Sequence, residues 1–249
     1  MKIAELTGKK ASEVVGKMDT VVIPVGTLER HGPHCSVMSD VLIPEKIAQE
    51  IDGLMGEKVL IGPTIPYGHT WRLKSHAGSH DVPRQVLADY AFYVVKGFQQ
   101  WGIKYAVLLN GHGGNIEALH DAAERASDLG IKTVVLSWWT GGFQAVMKEV
   151  VQDLGGHGGE AETSLLWNAG DQYVDPDAIP KQEHSYSFKA GASVSDVFDQ
   201  DVNKKIYPQA YSGRPFAASK EKGRVLTQKA AKLVVETIDA LRNGDIVET

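Results

Sequence analysis

Cysteine is nearly absent. The 249-residue chain has one, Cys35, so no intrachain disulfide can form, as suits a reducing compartment. A basic excess is absent too: 26 Lys and Arg stand against 31 Asp and Glu, a formal net charge of −5. No broad positive field invites nucleic acid or an anionic membrane. Long hydrophobic runs are missing. Nothing approaches the roughly 20 apolar residues that span a bilayer, and the opening MKIAELTGKKASEVVGKM lacks the apolar stretch of a secretory signal. Internal repeats, low-complexity tracts and long linkers are missing as well. These absences predict a soluble, cytoplasmic protein whose stability comes from a packed core, which a chain of this length can build.

Apolar segments are present in alternation with amphipathic ones. Runs at 20–25 (TVVIPV), 58–62 (KVLIG), 104–109 (KYAVLL) and 132–137 (KTVVLS), with a weaker one near Ile65, are rich in Val, Ile and Leu. Near-continuous apolar runs suit strands covered on both faces. Helical periodicity marks 41–54, 83–101, 116–129 with Gly130 as its C-cap, and 219–241. The alternation predicts one α/β domain over residues 1–249, a three-layer sandwich whose mostly parallel central sheet has helices on both faces. Residues 171–212 have weak periodicity and many Asp, Ser, Tyr and Gly. They predict a long irregular excursion of the kind that lines active sites or subunit contacts.

Polar segments fall where strands end, and ligands of open α/β sheets bind beyond those ends. LERHGPHCSVMSD (28–40) follows the first run, NGHGGN (110–115) the third, and GGHGGEAETS (155–164) precedes a short apolar segment. NGHGGN admits a phosphate cradle of backbone N–H groups, but its spacing matches neither GxGxxG nor a P-loop. A His flanked by glycines can equally approach a metal. Asp40, at a helix start, admits a plain N-cap role. Glu29, His31, Asp40, His112 and Glu160 together offer carboxylate and imidazole ligands at one sheet edge, a mixture suited to Zn, Mn or Fe rather than Ca or Mg.

These three segments, in this order and spacing, resemble the signatures of the creatininase (creatinine amidohydrolase) family, here in a double-glycine form of the second motif. The resemblance implies a three-layer α/β fold, hexameric homo-oligomers and two divalent metal ions per chain, bridged by an Asp and a water or hydroxide. Carried over residue by residue, it implies that Glu29 and His112 bind one ion, His31 the other, and Asp40 both. His157 takes the general acid/base position, and Trp139 lines the substrate pocket. Relatives whose second motif reads His-x-Glu draw a further ligand from that Glu; Gly114 stands there in this chain. Double-glycine relatives gain a Glu three residues after the third motif's His, so the resemblance implies that Glu160 completes the second ion's shell. Glu162 is the rival, with hydrogen bonding around the metals as its expected role. A family pocket segment of Phe-Pro-Gly-Thr type reads His76-Ala77-Gly78-Ser79-His80-Asp81 here. With Arg72, the candidate substrate contacts His76 and His80 imply a small, polar substrate rather than creatinine.

The implied activity is hydrolysis of a C–N bond in a small cyclic amide or formamide-type substrate by metal-bound hydroxide. The alternatives are C–C hydrolysis of a cyclic keto-polyol of keto-inositol type, and a non-catalytic nucleotide- or phosphate-binding protein that uses NGHGGN.

Overall fold

Four parallel strands form the sheet in the computed structural model, which describes residues 1–154, 156–186 and 197–245. They are β1 (Thr20–Val25), β2 (Leu60–Ile61), β3 (Tyr105–Asn110) and β4 (Lys132–Ser137), in the order β2-β1-β3-β4. Val22 pairs with Val107 and Val107 with Val134 across the sheet. Eight α-helices stand among the described residues: α1 (Gly8–Val14), α2 (Ser39–Met55), α3 (Arg84–Gly97), α4 (Ile116–Ser127), α5 (Gly142–Val150), α6 (Glu160–Ala169), α7 (Gln200–Ile206) and α8 (Lys220–Asn243).

Alternate strand side chains feed two separate cores, as the two-residue repeat of a strand requires. Val22, Val107 and Leu109 pack with Ile47 and Ile51 of α2, Met147 of α5, Leu166 of α6 and Val234 of α8. Val21, Ile23, Val25 and Leu108 pack with Leu87 and Val95 of α3 and Leu119 of α4 on the other face. Both faces are therefore covered, which is why β1 and β3 read as unbroken apolar runs. From β1 the chain leads through α2 on one face to β2, and from β3 it leads through α4 on the other face to β4. Connections consequently diverge between β1 and β3, and a crevice opens beyond their carboxyl ends.

Several expectations need adjustment. The run near Ile65 forms only an isolated bridge to Val25, and the 58–62 run contributes just two strand residues. Helix α4 stops at Ser127 with Asp128 as its cap, and left-handed Gly130 (φ 80°) instead turns the chain toward β4. The 171–212 excursion contains α7 and short 3-10 turns; its residues 187–196 lie outside the described residues. No helix among the described residues is long and apolar enough to cross a membrane.

Candidate metal centre

Two strand ends and one helix start converge over the crevice. The segment after β1 carries Glu29 and His31, the segment after β3 carries His112, and Asp40 is the second residue of α2. The approach is close enough to demand glycine. A Cβ on Gly26 would lie 2.5 Å from the Asp40 carbonyl oxygen, and one on Gly111 would lie 2.0 Å from it. Pro44, four residues on, has no N–H to offer that carbonyl. Asp40 is not an N-cap: Met38 occupies that position, and no side chain caps the helix.

Asp40 sits between two histidines. Its Oδ1 lies 3.0 Å from His31 Nε2 and its Oδ2 lies 2.9 Å from His112 Nδ1. Glu29 Oε2 is 3.4 Å from His112 Nδ1, and Glu162 Oε2 is 3.5 Å from His31 Nε2. Backbone carbonyls fix both rings. His31 Nδ1–H donates to the Glu29 carbonyl (3.0 Å), and His112 Nε2–H donates to the His69 carbonyl (3.0 Å). A carbonyl only accepts, so the nitrogen facing Asp40 is in each case the one left with a lone pair when the ring is neutral. Gly114 makes the second bond possible, since a Cβ there would lie 2.0 Å from the His69 carbonyl oxygen. Thr70 Oγ1 donates to Glu29 Oε1, and the Gly158 N–H donates to Glu162 Oε2 (2.6 Å).

His157 closes the ring of donors. Its imidazole packs on His31 with ring centroids 4.0 Å apart. Nε2–H donates to the Arg30 carbonyl (2.6 Å), which leaves Nδ1 toward Glu29 Oε2 at 3.7 Å. Backbone bonds to Ser212 on either side hold the residue.

Electrostatics follow from this crowding. Burial opposes charge on Asp40, but His31 and His112 overcome it and hold the carboxyl well below the usual range. Burial likewise opposes charge on His112, yet Glu29 and Asp40 lift it to about 9. Burial also works against His31, and Asp40, Glu162 and Glu29 raise it well above the histidine range. His157 goes the other way: burial first, then His31, hold it below the ordinary value, favouring the neutral ring.

The donor set fits divalent cations. Among the described residues, three groups have ligand atoms within 4.8 Å of one another: Glu29, Asp40 and His112; His31, Asp40 and Glu162; and Glu29, His31 and His157. Asp40 Oδ2 is fully buried and receives no donor in hydrogen-bonding geometry despite its nearness to His112. A buried oxygen of that kind calls for a partner. Paired carboxylate and imidazole donors suit Zn, Mn or Fe.

Glu160 requires a correction. It is fully buried, but its carboxylate accepts from Lys222 Nζ (2.6 Å) and from the backbone N–H groups of Gln152 (3.0 Å) and Asp153 (3.1 Å). Successive helical residues turn by about 100°, so residues 160 and 162 point to nearly opposite sides. Glu162 faces the cluster and Glu160 faces α8. Both residues occupy the first turn of α6, and the sequence carries no signal that tells which side is inward.

The cluster floors a cavity of about 640 Å³. Trp139 and Arg72 line it, together with His69, Trp71, Phe198 and Tyr207, which the sequence did not single out. Arg72 donates to the Val197 carbonyl and to Asn203 Oδ1 and lies over the Phe198 ring. His76 and His80 do not line it. His76 is buried and donates through Nε2 to the Tyr207 carbonyl (2.7 Å). His80 pairs its backbone with Leu28 and sets its ring edge-on to Tyr67. The pocket segment therefore turns its histidines into structural contacts.

Other polar residues of the motifs hold loops. Asn110 donates to the His112 carbonyl (2.8 Å) and Ser137 Oγ (3.0 Å), and Asn115 ties Gly26 to His69. Cys35 Sγ lies 3.6 Å from Thr163 Oγ1, and burial pushes its thiol up to about 12, outside the range of a reactive or metal-binding thiolate. His34 donates to Thr163 Oγ1 (2.9 Å), and burial together with His31 lowers it to about 4.

Comparison with known proteins places the chain in a family. A family model described as creatinine amidohydrolase matches residues 4–238. The chain is 29% identical over 257 residues to the creatinine amidohydrolase of Pseudomonas putida, covering 95% of each chain. It is 25% identical over 184 residues to a mycofactocin precursor peptide peptidase of Mycobacterium ulcerans, covering 71% of this chain and 69% of that one. It is 30% identical over 109 residues to the 3-dehydro-scyllo-inosose hydrolase of Thermotoga maritima, 43% of this chain and 34% of the relative. A crystal structure of creatininase superimposes with a TM-score of 0.78 at 25% identity, covering 95% of this chain and 96% of that one. Solved creatininase structures of similar TM-score include a manganese form and a Zn–Zn form. The chain belongs to the creatinine amidohydrolase (creatininase) family of metal-dependent hydrolases.

Proposed function

We propose that the protein is a dinuclear-metal hydrolase that cleaves the C–N bond of a small, polar cyclic amide or formamide-type substrate at its carbonyl carbon. The observation that carries this is the arrangement around Asp40: each carboxylate oxygen faces one histidine nitrogen, and each ring is locked by a backbone carbonyl. Glu29, His112 and Asp40 would hold one ion; His31, Glu162 and Asp40 would hold the other. Bound there, two ions would polarise a carbonyl and render a water nucleophilic near neutral pH. Family relatives solved with manganese and with zinc support either metal; iron fits the same donors.

The chain's own residues supply the rest. His157, held neutral, accepts a proton at Nδ1 and returns it to the leaving nitrogen, while Arg30's carbonyl keeps Nε2–H in place. Trp71, Trp139 and Phe198 wall the cavity and restrict water, and Arg72 adds a polar contact. Thr70 Oγ1 orients Glu29, and the Gly158 N–H orients Glu162, each through a hydrogen bond to its carboxylate.

Chelation tests the reading. Removal of bound metal is expected to abolish hydrolysis of a panel of cyclic amides, and Mn, Zn or Fe to restore it; full activity in a metal-free sample overturns it. His157→Ala should keep its metal content by mass spectrometry and lose on the order of 10²–10⁴-fold in turnover. Loss of metal in that variant would make His157 a ligand instead, as its group with Glu29 and His31 allows.

C–C hydrolysis of a cyclic keto-polyol is the second reading. The match to the Thermotoga maritima hydrolase favours it; both reactions open the ring to a carboxylate, and product analysis distinguishes a new amino group (C–N cleavage) from a new C–H bond on the other carbon (C–C cleavage). The family resemblance also points to a homo-hexamer. The exposed face of α3 formed by Val86, Tyr90 and Tyr93 supports association, and light scattering reads the mass.

A further inference from the structure

His69 is a residue the mechanism uses only through its backbone. Its N–H donates to Asn115 Oδ1 (2.8 Å), and its carbonyl accepts from His112 Nε2 (3.0 Å). The main chain of His69 is thus fixed to the metal-centre loop, and its side chain lines the same cavity. The ring is fixed as well. Nδ1 lies 3.0 Å from the Val82 carbonyl oxygen and 3.1 Å from Asp81 Oδ1. Both neighbours are acceptors, so Nδ1 carries the hydrogen. Nε2 is then the free position, and among the described residues no hydrogen bond or ion pair engages it.

A histidine whose Nδ1–H is held by a carbonyl, with a carboxylate oxygen 3.1 Å from the same nitrogen, presents Nε2 in one orientation with an available lone pair. Trp71, Trp139 and Phe198 line the same cavity, and aromatic walls suit a flat ring or the apolar face of a sugar-like one. An oriented acceptor beside such walls reads a hydrogen-bond donor on the ring's edge. Sites built to satisfy a substrate O–H or N–H reject analogues that lack it far more strongly than apolar pockets reject an extra methylene.

We propose that the His69–Asp81 pair is a specificity element of this cavity, in which His69 Nε2 accepts a hydrogen bond from an O–H or N–H group on the ring that carries the scissile bond. Asp81 acts through His69 and is a positioning residue. The proposal rests on the reading of the cavity as a hydrolase substrate site. It narrows the substrate class to rings bearing a donor near the reacting carbonyl, either a polyol hydroxyl or an amide N–H.

The test uses the full chain loaded with Mn and two matched probe pairs, followed by calorimetric binding and by hydrolysis. One pair is scyllo-inosose and its penta-O-methyl ether; the other is dihydrouracil and its N,N′-dimethyl derivative. Wild type is expected to bind the donor-bearing member of one pair at least tenfold more tightly, and the preferred pair says whether the donor is O–H or N–H. His69→Phe should lose about tenfold for that member, the loss of one well-placed hydrogen bond. Its affinity for the methylated member and its metal content should be unchanged. Asp81→Asn should show a smaller loss confined to the donor-bearing member, and that loss should vanish in the His69→Phe background.

A wild-type protein that does not distinguish the members of either pair overturns the proposal. So does an equal loss for both members in His69→Phe, or loss of metal there. Failure of the hydrolase reading looks different: the donor preference and its dependence on His69 persist, but no product forms from any probe.

Discussion

Asp40→Ala is expected to strip both ions and to lower turnover by on the order of 10³-fold or more. Each Asp40 oxygen faces a different histidine nitrogen, at 3.0 and 2.9 Å. Glu29 reaches the His112 side and Glu162 the His31 side, so neither can take over both contacts. Lewis-acid stabilisation by bound metal is worth several kcal/mol, and each 1.36 kcal/mol is about tenfold in rate. The fold should survive, because α2 is held mainly by Ile43, Ile47 and Ile51 in the core. Metal per chain by mass spectrometry, turnover and circular dichroism read the three parts of this expectation. One tightly held ion with its site filled in the variant would refute the bridging role.

The two glutamates of the third motif should separate cleanly. Glu162→Gln is expected to lose one ion and most activity while leaving the thermal midpoint of the metal-free protein nearly unchanged. Glu160→Gln is expected to do the reverse. Its carboxylate is fully buried on Lys222 and two backbone N–H groups. Hydrogen bonds to a charged group contribute about 1.5–3 kcal/mol. A loss on the order of 2–3 kcal/mol corresponds to roughly 5–10 °C in a chain of this size. Both ions should stay. Loss of an ion only in the Glu160 variant would return that residue to the ligand shell and dismiss Glu162.

The sequence by itself determined the architecture and the place of the chemistry. Continuous Val, Ile and Leu in the runs that became β1 and β3 require cover on both sides, and the intervening amphipathic segments supply it. Strands followed by helices force a parallel sheet, and the polar motifs then had to gather at its carboxyl edge. Glu29, His31, Asp40 and His112 could be picked out because their residue types fall at strand ends and one helix start. Tertiary structure alone decided which side chains turn inward. Glu160 and Glu162 share one helical turn, and only the position of Lys222 on α8, more than fifty residues later, draws one of them away. His76 and His80 sit in a loop with no periodicity to orient them, and their partners are the backbones of Tyr207 and Leu28. His69 and Asp81 are twelve residues apart in an irregular segment, and no local pattern signals that their side chains meet. Main-chain geometry repeats along a strand or helix and leaves its period in the sequence; a contact between loops has no period, so only the folded chain discloses it.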